Sequence, residues 1–135
     1  MIKSADLNLS FSGLKTAVLY AVSKAPKDAN GRLDEKWKMG LAREFEDAVT
    51  ETLDSKLRRA IDTTGAKAII IGGGVSANTT LRTKFEKTAQ EYGLPIFLPS
   101  RHTSGDNALM IALASALDSN PINPRPLRAQ GTKRL

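Results

Sequence analysis

The sequence contains no cysteine, a single histidine and only 5% aromatic residues. The lack of cysteine excludes disulfide bonds and thiolate metal sites, and it fits the reducing environment of the cytoplasm. One histidine excludes a metal site built from several histidines of this chain. No apolar run approaches the roughly 18 residues that cross a bilayer, and residues 1–6 do not form a signal peptide. We therefore expect a cytoplasmic protein with no membrane partner.

The composition is that of one small domain with a basic surplus. The chain has 135 residues, of which 41% are hydrophobic, so a core can form. Lysine and arginine total 20 against 14 acidic residues, which gives a net charge of +6. This surplus suits a phosphate-bearing partner such as RNA or a nucleotide, although many small proteins carry as much charge for solubility. Residues 120–135 hold part of it, and their prolines predict an irregular basic tail.

Helical spacing of apolar residues predicts two helices in the first half of the chain. Ser10 or Ser12 is expected to cap the first helix. Asp34 is expected to cap a second, longer helix, which Gly65 ends. The lysines and arginines of residues 35–62 are interpreted as the solvated face of this second helix.

The second half of the chain predicts a β-α-β unit. Residues 68–71 form a short apolar run bounded by glycines, typical of a buried strand, and residues 96–98 form a second run between prolines. Residues 78–92 lie between them with helical spacing, so the strands should be parallel and joined by a right-handed crossover. So few strands do not make a sheet that is stable alone. The expected fold class is a helix-rich α/β fragment with a small, partly parallel sheet.

Three consecutive glycines, Gly72, Gly73 and Gly74, follow the first predicted strand. Their lack of Cβ lets the backbone approach a ligand, free N–H groups at the next helix attract anions, and Asn78 can both donate and accept hydrogen bonds. The spacing matches neither the P-loop nor the dinucleotide fingerprint. The loop predicts a nucleotide site that includes Gly73, Gly74 and Asn78. The alternative is a tight turn in which Ser76 or Asn78 caps the helix.

Asp106 follows the second predicted strand and should lie at the same edge of the sheet as the glycine loop, where ligands of open α/β sheets bind. A carboxylate near a phosphate is repulsive unless a cation lies between them, so Asp106 is a candidate metal ligand. The spacing from Thr103 to Asp106 also resembles a helix capping box, and spacing alone favours that role. His102 is interpreted as a loop residue. No residues form a nucleophile arrangement, so no catalytic residue is identified.

Three segments together resemble one known family. Residues 9–16 read LSFSGLKT, residues 73–78 read GGVSAN and residues 106–112 read DNALMIA. They resemble the SFSGLKT, GGVxAN and DNAAMIA segments of the tRNA threonylcarbamoyladenosine transferase family, also known as the glycoprotease or O-sialoglycoprotein endopeptidase family. The segments occur in the family's order and at similar separations. The chain therefore resembles the C-terminal portion of this family over residues 7–117.

The resemblance implies an actin-like, sugar-kinase or Hsp70-type ATPase fold, of which residues 1–119 would be an incomplete part. It implies transfer of a threonylcarbamoyl group from threonylcarbamoyl-AMP to the exocyclic amine of adenosine 37 in tRNA. It also implies that Gly73, Gly74 and Asn78 contact the nucleotide. Asp106 would bind a divalent metal ion, iron or zinc, which reverses the preference for a cap. The implied partners are tRNA, an adenine nucleotide, and paralogous or accessory subunits.

The chain departs from the family pattern in one large and two small respects. The family's two metal-binding histidines and its first phosphate loop lie in an N-terminal half that this chain lacks. Gly105 stands where threonine is usual, and Leu109 replaces a common alanine. We therefore expect the isolated chain to be inactive and, because it exposes apolar surface, to self-associate. Two alternatives stay open: a related ATPase or sugar kinase of the same fold, and a non-catalytic partner module. Peptidase activity has no support, since no HExxH motif or catalytic triad is present.

Overall fold

A computed structural model describes residues 6–100, 104–105 and 108–118 of the chain. These residues form four α-helices and two short strands. They are α1 (Ser12–Lys24), α2 (Glu35–Thr64), β1 (Ile69–Ile70), α3 (Thr79–Tyr92), β2 (Ile96–Phe97) and α4 (Ala108–Leu117). A 3-10 turn, Gly74–Ala77, lies between β1 and α3. Within the described ranges, no helix is both long enough and apolar enough to cross a bilayer.

Local capping sets the bounds of α2, the longest helix. The Asp34 carboxylate accepts a hydrogen bond from the backbone N–H of Trp37 at 2.8 Å, which satisfies a free donor of the first turn. At the other end, Gly65 adopts a left-handed conformation with φ +63° and donates its N–H to the Ile61 carbonyl at 3.0 Å. Both predicted ends of α2 are confirmed.

The two strands pair in parallel, as predicted. Ile69 pairs with Ile96, and the ladder ends with a 3.0 Å hydrogen bond from the Ile71 N–H to the Phe97 carbonyl. The expectation of a fully buried first strand is only half right, because Ile69 is 4% exposed and Ile70 is 81% exposed. One face of β1 is therefore open in the part of the chain that the structure describes.

The third helix, α3, connects the strands and covers the core. It begins after Asn78, whose side-chain oxygen accepts the Leu81 N–H at 2.9 Å, and it ends at Gly93, which has φ +65°. Its apolar residues lie three and four positions apart, so they share the face that packs toward α2. The main buried cluster consists of Ile61, Ile69 and Ala89, surrounded by Leu57, Ile71, Tyr92, Leu94 and Ile96.

The first helix, α1, begins without the predicted serine cap. Phe11 occupies the capping position and supplies no side-chain hydrogen bond. The hydroxyls of Ser10 and Ser12 instead lie 3.0 Å apart, so one donates to the other. The prediction is wrong because the helix begins at Ser12, which puts Phe11 and not a serine at the capping position. No residue of α1 is buried.

Charged side chains lie between α2 and α3. Asp54 is 6% exposed and accepts hydrogen bonds from Arg58 at 2.9 Å and from the Thr88 hydroxyl. Arg58 also donates to Thr88 at 2.9 Å and pairs with Glu91 at 2.6 Å. Hydrogen bonds to Asp54 and then to Glu91 raise the pKa of Arg58 above its ordinary value. The interpretation of a solvated basic face is therefore wrong for Arg58, and also for Lys56, which is buried.

Candidate functional site

The glycine loop, residues 72–78, lies at the carboxyl edge of the two parallel strands. Gly72, Gly73 and Gly74 line a cavity of about 780 Å³ together with Ser104 and Met110. Gly73 has φ +87°, a backbone conformation that a residue with a Cβ rarely adopts. A Cβ at Gly72 or Gly73 would meet no described atom within 4 Å. These glycines therefore leave the backbone open to the cavity and do not serve close protein packing.

Arg82 joins the glycine loop to the segment that follows β2. Its guanidinium donates hydrogen bonds to the backbone carbonyls of Ser76 and Pro99, and one of its nitrogens lies 3.4 Å from the Ser104 hydroxyl. The Ser104 hydroxyl in turn donates to the Ser100 carbonyl at 2.8 Å. The prediction that both loops lie at one edge of the sheet is confirmed for Ser104. The sequence did not point to Arg82, because its one signal was a position one turn into a predicted helix.

Asn78 uses both ends of its side-chain amide within the protein. Its oxygen accepts the Leu81 N–H, and its nitrogen donates to the Glu46 carboxylate at 2.6 Å. The helix-capping role that the sequence offered as an alternative is therefore confirmed for Asn78. The amide nitrogen carries a second hydrogen, so a further contact with a nucleotide stays a prediction.

A second cavity, also about 780 Å³, lies between α2 and the 3-10 turn. Its walls are mainly apolar and include Phe11, Phe45 and Val75, whereas Glu46 and Asn78 contribute polar groups. Such a surface, apolar with few polar groups, is typical of a small-molecule site. The sequence did not point to Glu46, whose only signal was a carboxylate beside the apolar stripe of a helix.

The predicted nucleotide-binding residues fall on two sides of one segment. Gly73 and Gly74 line the first cavity, Asn78 lines the second, and most of the 3-10 turn lies between them. Ser76, within that turn, is 2% exposed, and its hydroxyl has no hydrogen-bond partner among the described residues. A ligand that contacts all three predicted residues must therefore reach across the turn.

The predicted metal ligand, Asp106, lies outside the described residues. His102, which is interpreted as a loop residue, also lies outside them. In residues 6–100, 104–105 and 108–118, no three or more histidine or acidic side chains form a group that could hold a metal ion. The described residues by themselves do not fit a metal.

Comparison with known proteins identifies the family. Residues 1–113 match the model of the family described as tRNA N6-adenosine threonylcarbamoyltransferase. The chain belongs to this family. It is 38% identical over 132 residues to the tRNA N6-adenosine threonylcarbamoyltransferase of Nitrosomonas eutropha. It is also similar to proteins of the same name from Neisseria gonorrhoeae, with 39% identity over 131 residues, and from Dichelobacter nodosus, with 42% identity over 116 residues.

The chain spans about a third of the length of the relatives it matches. The three matches cover 98%, 87% and 86% of the chain but only 37%, 37% and 32% of the respective relatives. The family resemblance read from the three motifs is confirmed. Gly73, Gly74, Asn78 and Asp106 all lie within the matched residues 1–113, and their individual roles stay predictions.

Proposed function

We propose that this chain is part of a transferase that moves a threonylcarbamoyl group from threonylcarbamoyl-AMP to the exocyclic amine of an adenosine in tRNA. Within that enzyme, the chain would supply one half of the site for the adenine nucleotide. One observation carries the proposal: an open glycine backbone faces a cavity at the carboxyl edge of two parallel strands, in a chain of this family. That edge is where open α/β sheets bind ligands.

The glycine edge suits the phosphate of the donor. Gly73 and Gly74 carry no side chain that covers the backbone, and the loop leads through the 3-10 turn into α3. With no Cβ in the way, the backbone N–H groups of such glycines can approach an anion closely. We propose that the phosphate lies along Gly73 and Gly74.

The apolar cavity suits the adenosine of the donor. Phe45 and Val75 offer apolar walls for a planar base, and the Asn78–Glu46 pair offers a donor and an acceptor for the base edge or the ribose. The bound nucleotide would thus extend across the 3-10 turn. Its adenosine would lie at Asn78 and its phosphate at the glycine edge.

In the proposed reaction, the amine of the tRNA adenosine forms a bond to the carbonyl carbon of the threonylcarbamoyl group. The bond from that carbon to the phosphate oxygen breaks, AMP leaves, and the amine loses a proton. The described residues contribute by binding and orienting the donor, and the reaction needs no covalent enzyme intermediate. We propose that Asp106 is one oxygen ligand of an iron or zinc ion whose other ligands come from outside this chain.

The fold, compartment and partners that we propose for the whole enzyme are those that the family resemblance implies. We propose the actin-like ATPase fold for the whole enzyme, the cytoplasm as its compartment, and tRNA with paralogous or accessory subunits as its partners. The net charge of +6 supports a nucleic-acid partner. The family match speaks against a related ATPase or sugar kinase of the same fold. A non-catalytic partner module is the interpretation that applies if no nucleotide binds.

Calorimetric titration of AMP into the chain, with and without a divalent metal ion, tests the half-site. Gly73→Ala is expected to weaken AMP binding about tenfold, because the backbone at Gly73, with φ +87° and ψ 166°, costs about 1–3 kcal/mol for a residue with a Cβ, so the loop must shift. The control is Gly93→Ala, which places a Cβ at another glycine of positive φ, in the left-handed region at φ +65°, beyond the far end of α3. That variant should lose stability but keep its affinity. An absence of AMP binding, or equal losses of affinity in both variants, would contradict the proposal.

A further inference from the structure

Arg82 occupies a distinctive place at the candidate site. Its backbone N–H donates to the Asn78 carbonyl in the first turn of α3, and its side chain is half-buried. From there the guanidinium reaches the Ser76 carbonyl on one side and the Pro99 carbonyl on the other, with Ser104 3.4 Å away. One side chain therefore contacts three separate segments around the first cavity.

These contacts lie just past the point where the strand ladder ends. The last ladder bond joins Ile71 to Phe97, and beyond it the chain leaves β1 through the glycine loop and β2 through Pro99. Arg82 bridges these two departing segments. A guanidinium is suited to this because it is planar, stays charged, and presents several N–H donors in a rigid fork.

The described partners of Arg82 indicate a role within the protein. Its Nε and one terminal nitrogen are directed at backbone carbonyls of the protein, an arrangement that holds backbone segments in place. An arginine that binds a phosphate directly presents its fork to the ligand instead.

We propose that Arg82 is the positioning residue of this site. It holds the glycine loop and the Ser104 segment at a defined separation across the first cavity, and so determines how well the glycine edge binds a phosphate-bearing ligand. The effect on the ligand rests on the proposed function. The effect on the two segments does not, because it concerns the protein without ligand.

Amide hydrogen exchange on the complete chain tests whether Arg82 holds the two segments in the protein without ligand. Arg82→Ala is expected to accelerate exchange in residues 72–78 and 97–100 about tenfold or more, the usual effect of losing a charged hydrogen bond, while the middle of α2 is unchanged. Lys87→Ala, at an exposed position of the same helix, is the matched control and should change neither region. Acceleration spread evenly over the chain, or none at all, would overturn the proposal.

Chemical rescue separates positioning from a merely structural role. Guanidinium ion at millimolar concentration, far below denaturing levels, should restore slow exchange in Arg82→Ala, whereas the same concentration of sodium chloride should not. If Arg82→Ala does not fold, Arg82→Lys replaces it; lysine keeps the charge but lacks the planar fork, so faster exchange confined to these two segments is still expected. Failure of guanidinium to restore exchange in the folded variant would count against a positioning role.

AMP is the probe that tests whether Arg82 affects ligand binding at the glycine edge. If the chain binds AMP, Arg82→Ala should raise the dissociation constant about tenfold or more, with partial recovery in guanidinium and no change for Lys87→Ala. An unchanged dissociation constant in Arg82→Ala would overturn this part of the inference. If the unmodified chain does not bind AMP, the proposed function fails, and the exchange experiment alone decides the role of Arg82.

Discussion

The interface between α2 and α3 and the surface of α4 show opposite arrangements of polar and apolar side chains. Between α2 and α3, Asp54 and Thr88 are buried, and each is hydrogen-bonded to the other and to Arg58. On α4, no residue is buried, and its large apolar side chains are exposed. These are Leu109, Met110, Ile111, Leu113 and Leu117.

The difference shows which of these surfaces finds its interaction partners within the chain. Buried polar groups are tolerated when they are paired, and the α2–α3 interface meets that condition with residues of the chain itself. A helix that is apolar on all sides is typical of a buried element, and exposed apolar patches mark surfaces that bind something else. The chain covers between 32% and 37% of the length of the relatives compared above. We therefore expect the exposed apolar surface of α4 to make such a contact.

The largest expected effect comes from breaking the polar interface at Asp54. Asp54→Ala should lower the free energy of unfolding by about 3 kcal/mol, because Arg58 and Thr88 lose a shared, buried acceptor. Urea unfolding followed by circular dichroism measures this. The control is Asp47→Ala on the same helix, an exposed carboxylate 3.9 Å from Arg43, which should cost less than about 1 kcal/mol. Equal losses would show that burial of the pair is unimportant.

A smaller effect is expected from removing only the hydroxyl of Thr88. Thr88→Val keeps the shape of the side chain but leaves Asp54 and Arg58 one partner short, so the expected loss is about 1–2 kcal/mol. Thr83→Val, at an exposed position of α3, should change stability by less than about 0.5 kcal/mol. A Thr88→Val variant as stable as the unmodified chain would indicate that shape alone holds the two helices together.

The apolar surface of α4 is expected to affect association more than stability. Leu113→Glu should shift the chain toward monomer in sedimentation velocity, while the free energy of unfolding changes by less than about 0.5 kcal/mol. Ser115→Glu adds the same charge to an exposed position of the same helix and should leave association unchanged. If both variants dissociate equally, charge repulsion and not apolar contact explains the result.

The smallest effect concerns Tyr92, at the edge of the α2–α3 interface. Burial, and then a hydrogen bond with Asp62, raise the pKa of Tyr92, although the nearby Arg58 cation opposes this. The neutral phenol is therefore favoured in the folded state. Its contribution to stability is complete below the unfolded pKa of about 10 and disappears as the pH rises through the folded pKa.

Substitution isolates this contribution from the titration of lysines. Tyr92→Phe should lose less stability than the unmodified chain between pH 8 and pH 11, measured as the urea midpoint. Tyr20→Phe, at a residue that is 65% exposed, should behave like the unmodified chain. The same pH dependence in all three proteins would exclude a role for Tyr92.

The bounds of the longer helices were predictable because their signals are local. Asp34 and Asn78 cap α2 and α3 through N–H groups three residues away, and Gly65 and Gly93 end them in a left-handed conformation. The same reasoning gave the wrong cap for α1, because the helix begins at Ser12 and Phe11 stands at the capping position. A capping residue can be predicted only where the first residue of the helix is also predicted correctly.

The sequence by itself determined the α/β character, the parallel pairing and the family of this protein, because periodicity, caps and motifs are properties of neighbouring residues. Only the tertiary structure decided that Asn78 bonds to Glu46, that Asp54 bonds to Thr88, and that Arg82 reaches Pro99. The first two pairs are 32 and 34 residues apart, and the third spans 17 residues. Their geometry depends on how helices and strands pack against one another, and no short segment of the chain determines that packing.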